Sequence, residues 1–228
     1  MSKAKPVVYV VDDDPAICQA LGLLIETVSL DVETFESANA FLERYSPGRP
    51  ACLVLDVRLP GLGGLDLQAK LADRRDSLPI LLITGHADVA MAVRAMKMGA
   101  VDFIQKPFND QVILDKIQKS IDMHRLHMKQ DALSLDINSR MEQLSPREAD
   151  VMDRVVVGKS NRAIAAELGL SPKTIEVHRA RVMEKMKAKS LPELVRLHLT
   201  VKGRPERRRE PCVKTPADSR ECELVAHA

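Results

Sequence analysis

VVYVVDDDP, residues 7–15, opens a pattern that the chain repeats four more times: a short run of aliphatic residues, then a polar step, then a helical period. The run at 7–11 shows almost no alternation, as expected of a strand covered on both faces by helices. Further runs lie at 32–35, 52–55, 80–83 and 101–104. Between them Ile17, Leu21, Leu24 and Val28 recur at helical spacing, as do Val89, Val93, Met96 and Ala100, with Gly99 placed to cap the second helix. Five strands alternating with helices predict a parallel sheet in an α/β domain.

In open parallel sheets, ligands gather beyond the C-terminal ends of the strands. Reading the residues just past each run collects Asp12, Asp13 and Asp14 after the first, Asp56 after the third, Thr84 after the fourth, and Lys106 with Pro107 after the fifth. Any one of these aspartates alone reads equally well as a helix cap or turn former. Together they repel unless a cation intervenes, and ligands that are all oxygen favour Mg2+ or Ca2+. Asp56 is then a candidate nucleophile toward a phosphoryl donor, with Lys106 pairing the product and Thr84 bonding it.

These motifs carry a resemblance. VVYVVDDDP, LVLDVRLPGLGGLDL (53–67) and ILLITGHADVAMAVRAMKMGAVDFIQKPF (80–108), in that order, resemble the receiver domain of bacterial response regulators, nearest the NarL/FixJ family. The likeness spans residues 6–123 and implies a flavodoxin-like (βα)5 fold. It implies that Asp56 accepts a phosphoryl group from a sensor histidine kinase. It also implies that Asp12, Asp13 and Asp56 hold Mg2+ with the backbone carbonyl of Arg58, and that a cis peptide precedes Pro107. Thr84 and Phe103 match the family's switch pair. Phe103 lacks the hydroxyl that a tyrosine carries there in some relatives. Arg58 and His86 occupy positions that vary and tune phosphoryl lifetime in the family.

From Val112, Ile113, Ile117 and Ile121 a last helical pattern runs on and weakens from His124, so 124–141 reads as a linker with some helical character. A second, all-helical block follows. Ser145-Pro146-Arg147-Glu148 supplies a cap, proline at the first helical position and a capping box. Gly158 ends that helix, and further starts read at Ser160, Ser171-Pro172 and Ser190-Leu191-Pro192-Glu193, a second capping box. Four short helices thus fill 145–202. Two of them meet at Gly169-Leu170-Ser171, a corner of the helix-turn-helix kind. On the second, Ile175, Val182 and Met186 share one side, while Lys173, Glu176, Val177, Ala180, Arg181 and Glu184 share the other. The latter mixture suits phosphates, base edges and thymine methyls, and equally suits a solvated face.

LSPREADVM (144–152), NRAIAAELGLS (161–171) and PKTIEVHRARVMEKM (172–186) resemble the LuxR-type DNA-binding domain of the same regulators, over residues 142–200. The resemblance implies contacts to double-stranded promoter DNA from Lys173, Glu176, Val177, Ala180 and Arg181, with Thr174 and Asn161 against phosphate. Some relatives carry lysine where this chain has Glu176 and Ala180. His178, at the edge of the buried side, reads as structural, and Met183 and Met186 as core. Together the two resemblances imply a transcription regulator that dimerises on phosphorylation and works with RNA polymerase. They imply no enzyme activity beyond self-phosphorylation from a phosphohistidine donor and slow autodephosphorylation.

Composition agrees with this division. The 228 residues fit two ordinary domains. Residues 1–140 carry 16 Lys+Arg against 19 Asp+Glu, and the remainder 18 against 13, a basic C-terminal part that suits a polyanion. Aromatic residues make up 3%, without tryptophan, which argues against stacking platforms for single strands. Cys18, Cys52, Cys212 and Cys222 show no metal-ligand spacing. No apolar run reaches membrane-spanning length, and the chain reads as cytoplasmic. The segment 203–228, with Arg207, Arg208 and Arg209, reads as a disordered tail. Two rival readings keep part of this account: a DNA-binding regulator indifferent to phosphorylation, and an aspartate-based phosphatase. The phosphatase usually has a second aspartate where this chain has Arg58.

Overall fold

The computed structural model describes residues 5–74, 76–85 and 89–202. His86 and the segment 203–228, including the arginine run, Cys212 and Cys222, lie outside the described residues. The chain divides into two units, Met1–Leu133 and Ser134–Ala228.

The first unit is a five-stranded parallel sheet in the order β2-β1-β3-β4-β5. Its strands are β1 (Val7–Val11), β2 (Asp31–Phe35), β3 (Ala51–Asp56), β4 (Ile80–Thr84) and β5 (Asp102–Gln105). The helices are α1 (Pro15–Thr27), α2 (Ala38–Arg44), α3 (Gly64–Asp73), α4 (Val89–Lys97) and the part of α5 (Asp110–Glu142) that precedes Ser134, the rest of α5 belonging to the second unit. Strand period divides the core in two. Val7, Tyr9, Val11, Leu53, Leu55 and Leu82 pack under α2, α3 and α4 with Phe41, Leu67 and Ala95. Val8, Val10, Cys52, Val54, Leu81 and Ile83 pack on the opposite face against Leu21 and Ile25 of α1 and Ile113, Ile117 and Ile121 of α5. Each such fully buried aliphatic side chain contributes about 1.5–3 kcal/mol. The strand order reverses direction between β1 and β3, and that crevice is where a parallel sheet opens a site.

Three differences from the sequence reading have physical reasons. In α4 the spaced residues Val89, Val93 and Met96 face outward, and the helix packs through Ala95 and Met91 instead. Small Ala95 lets the helix approach the sheet, leaving an apolar outer stripe. The segment 124–141, expected to have some helical character, is α-helix throughout. No glycine or proline interrupts residues 108–145, so nothing in the chain stops the helix. Finally, only half of the second capping box forms. The Ser190 hydroxyl accepts from the Glu193 N–H at 3.4 Å, but the Glu193 carboxylate reaches past it to the Lys189 N–H at 2.8 Å.

The second unit contains α6 (Pro146–Val156), α7 (Asn161–Leu168), α8 (Pro172–Lys185) and α9 (Leu191–Lys202). Their core joins Val151, Val155, Ile164, Ile175, Val182, Met186 and Leu194 to Ile137 at the end of α5. The first capping box is complete: Ser145 Oγ accepts from the Glu148 N–H at 3.3 Å, and the Glu148 carboxylate accepts from the Ser145 N–H at 2.8 Å.

Candidate functional site

The ends of β1, β3 and β5 bring one acidic cluster and one cation together. Val11 and Leu55 are register partners, so Asp12 and Asp56, each one residue further on, stand side by side. Carboxylate oxygens of Asp12, Asp13 and Asp56 lie within 4.8 Å of one another. Asp12 and Asp56 are buried and Asp13 is exposed. Lys106 enters from the end of β5 and its Nζ donates to Asp12 Oδ2 and to Asp56 Oδ2, both at 2.6 Å. A cis peptide joins Lys106 to Pro107.

Local hydrogen bonds fix these side chains. Asp12 Oδ1 accepts from the Asp14 N–H at 3.0 Å, and Asp56 Oδ1 accepts from the Arg58 N–H at 2.9 Å. Asp14 caps α1, its carboxylate accepting from the Ala16 N–H at 2.9 Å. The third aspartate of the triplet is therefore committed to the helix. Burial raises the Asp12 carboxyl above its ordinary range, with the bonds from Lys106 and Asp14 pulling the other way. Burial alone would depress Lys106; its bonds to the two aspartates outweigh this and hold it above the usual lysine value.

Thr84 ends β4, fully buried, and its carbonyl accepts from the Lys106 N–H at 2.8 Å. Phe103 on β5 is the register partner of Leu82, so Leu82, Thr84 and Phe103 share the sheet face under α3 and α4. Arg58 is exposed just past β3.

Two residues at this site carry no chemistry that a sequence would flag. Gly64 begins α3 so close to β3 that a Cβ there would lie 2.2 Å from the Asp56 carbonyl oxygen and 2.9 Å from Val57 Cα. The three glycines at 61, 63 and 64 were the available signal. Gln68, one turn on, is buried, and its Nε2 donates to the Ala95 carbonyl of α4 at 3.0 Å. Nothing in its spacing announced that tie.

In the second unit, α7 and α8 meet at Gly169, whose left-handed φ of +66° turns the chain. Leu170 and Ser171 complete the corner, and Ser171 Oγ accepts from the Thr174 N–H at 3.1 Å. α8 buries Ile175 and Val182, with Met186 buried at its C-cap, and exposes Lys173, Glu176, Val177, Ala180, Arg181 and Glu184. Lys173 and Glu176 form an exposed pair at 3.1 Å. Thr174 is half-buried. Asn161 is half-buried too, with its Oδ1 accepting from Arg179 Nη1 at 2.7 Å, a clasp between α7 and α8. His178 is half-buried, and its Nδ1 is buried without a hydrogen-bond partner.

Comparison with known proteins matches these two constellations in turn. Residues 8–118 match the response regulator receiver domain, and residues 142–198 match the family of bacterial regulatory proteins named after LuxR. The chain is 45% identical over 190 residues to the transcriptional regulatory protein FixJ of Bradyrhizobium diazoefficiens, covering 83% of this chain and 93% of that protein. It is 39% identical over 197 residues to the response regulator protein TodT of Pseudomonas putida F1, covering 86% and 87%. Among solved structures, the response regulator StyR aligns with a TM-score of 0.77 at 39% identity, over 86% of this chain and 98% of that one. Full-length FixJ from B. japonicum aligns with a TM-score of 0.53 at 43% identity, over 89% and 100%. With a receiver, a LuxR-type DNA-binding domain and relatives that are transcriptional regulators over most of its length, the chain belongs to the FixJ-like transcriptional response regulators.

Proposed function

We propose that Asp56 is the phosphoacceptor through which a sensor histidine kinase controls promoter binding by α8. The observation that carries this is the convergence of Asp12, Asp13 and Asp56 with Lys106 bonded to two of them. A carboxylate oxygen of Asp56 attacks phosphorus as the P–N bond of the donor phosphohistidine breaks, its electron pair returning to the imidazole. The three carboxylates offer oxygen donors only, which fits Mg2+, with the Arg58 carbonyl as a further donor. Bound there, Mg2+ supplies charge neutralisation for the transferring oxygens. Lys106 shifts its second bond from Asp56 to the new phosphoryl group, Thr84 donates to a phosphoryl oxygen, and Phe103 follows inward behind it.

These movements reshape the surface of α4 and β5, where the outward stripe of Val89, Val93 and Met96 awaits a partner, and two receivers pair there. Pairing presents two copies of α8 to the two halves of an inverted repeat. Lys173, Thr174 and Arg181 then meet phosphates or base edges, Val177 and Ala180 meet thymine methyls, Glu176 faces bases, and Asn161 donates its amide N–H to the backbone. The bound regulator acts on RNA polymerase. In domain terms, 6–123 receives, 124–141 connects as helix and 142–202 reads DNA.

Acetyl phosphate with Mg2+ should add one phosphoryl group to the wild-type chain by intact mass, produce a dimer and tighten operator footprints. Asp56→Asn should do none of these. A substituted chain that still dimerised and bound its operator in response to acetyl phosphate would end this reading in favour of phosphorylation-independent binding. Turnover of phosphate esters would favour the phosphatase.

A further inference from the structure

Phosphoryl transfer and DNA reading make no use of one face of α5 near its middle. At about 100° per residue, Met123, Leu126, Gln130 and Leu133 fall within about 80° of arc. Their spacing is three, four, three. Met123, Leu126 and Leu133 are 37%, 54% and 47% exposed, although each is a large apolar side chain. The stripe lies on the side of α5 away from Ile113, Ile117, Ile121 and His124, which bind the helix to the receiver. Lys119 ends it toward the N-terminus, and Ile137, next in the series, is taken into the core of the second unit.

We infer that this stripe is a short, parallel coiled-coil seam that pairs α5 with α5 of a second copy once the receivers have paired. The spacing is that of heptad positions a and d, which face an identical helix rather than an arbitrary partner. Gln130 stands at the central a position, where a polar side chain fixes two strands and their register. In that register one flanking pair brings the Asp122 carboxylate, which Arg125 and Gln118 of its own helix also bind, opposite the His127 imidazole of the second copy.

The length of the seam sets its behaviour. Three turns fall well short of the roughly 1,200 Å² that a specific interface buries, so the seam cannot hold two free chains together. Receiver pairing removes that obstacle by raising the effective concentration of one helix near the other to the millimolar range. The seam therefore closes second and fixes the register in which the two helices leave the receivers. This inference rests on the receiver pairing proposed above, and the experiment separates the two.

In the full chain with Cys212 and Cys222 replaced by serine, Leu126→Cys and Leu135→Cys are compared for disulfide formation between copies. Leu135 is 69% exposed and lies on the opposite side of the helix. With beryllofluoride and Mg2+ as the phosphoryl mimic, Leu126→Cys should cross-link at least about tenfold faster than without it, and Leu135→Cys should not respond. Adding Gln130→Ile to the Leu126→Cys chain should lower the mimic concentration needed for half-maximal cross-linking. A dimer by sedimentation in which positions 126 and 135 cross-link alike overturns the seam and leaves receiver pairing intact. If the mimic produces no dimer at all, receiver pairing falls and the seam falls with it.

Discussion

Lys106 and Gly64 show how much a single position contributes to this site. Lys106 is the counter-charge for Asp12 and Asp56, both buried. Lys106→Ala leaves two carboxylates facing one another without it, and breaking such a pair costs about 3 kcal/mol. The melting temperature of the receiver should fall by several degrees, and Mg2+ should raise it more in the variant than in the wild type. Equal Mg2+ shifts by calorimetry would show that the ion and the lysine do not compensate the same carboxylates. At Gly64 the constraint is steric. The atoms a Cβ would meet belong to the backbone of Asp56 and Val57, which cannot rotate away, so Gly64→Ala should cost about 1–3 kcal/mol and slow acetyl-phosphate labelling of Asp56 by displacing it. Unchanged stability and labelling rate would refute that. The aspartates, Thr84 and Lys106 were legible because each follows an aliphatic run. The contact at Gly64 and the tie from Gln68 to Ala95 were not, because close approach and a buried amide bond depend on where α3 lands on the sheet.

At the scale of the element, α6 is held at its first turn by one carboxylate. The bond from Lys185 Nζ at 2.6 Å, and then the Ser145 N–H, hold Glu148 far below the usual carboxylate range, at about 2. A depressed folded pKa stabilises the native state above the unfolded value near ~4.3, and that stabilisation is lost as pH falls from there toward about 2. Glu148→Gln should remove this pH dependence and cost about 1.5–3 kcal/mol near neutrality, read from amide protection across α6 after correction for intrinsic exchange. A variant curve parallel to the wild type would contradict the assignment. Elements were legible where one signal dominated. The β-strands follow their Val, Ile and Leu runs to within a residue, the ends being settled by pairing: Asp31 joins β2 because Val7 lies opposite it. The continuation of α5 was obscured because its apolar residues change faces, some turning to the receiver and Ile137 to the second unit.

For the whole molecule, the outer stripe of α4 and the switch proposed at Asp56 make one testable chain of cause. Val93→Asp places a charge in the middle of the stripe while leaving Asp56, Lys106 and Thr84 untouched. Phosphoryl incorporation should remain within about twofold of wild type, whereas dimer formation should weaken by at least about tenfold, a loss of about 1.4 kcal/mol or more. Sedimentation and intact mass on the same sample check both halves, and loss of labelling would place Val93 in the site rather than on the surface. The change from a strand-and-helix block to an all-helical one was legible from the aliphatic runs and the capping signals. Which face of each helix looks outward was not, since Val89, Val93 and Met96 have a spacing that serves a buried and an exposed stripe equally well.

The two hydrogen bonds that Lys106 donates, one to Asp12 and one to Asp56, bear on how such a protein comes into being. An ammonium group carried in the chain itself already balances much of the acidic corner, so the nascent receiver can mature without waiting for a divalent ion. On the proposed reading, in which Mg2+ assists phosphoryl transfer to Asp56, a cell short of magnesium would accumulate folded but deaf regulators rather than misfolded ones.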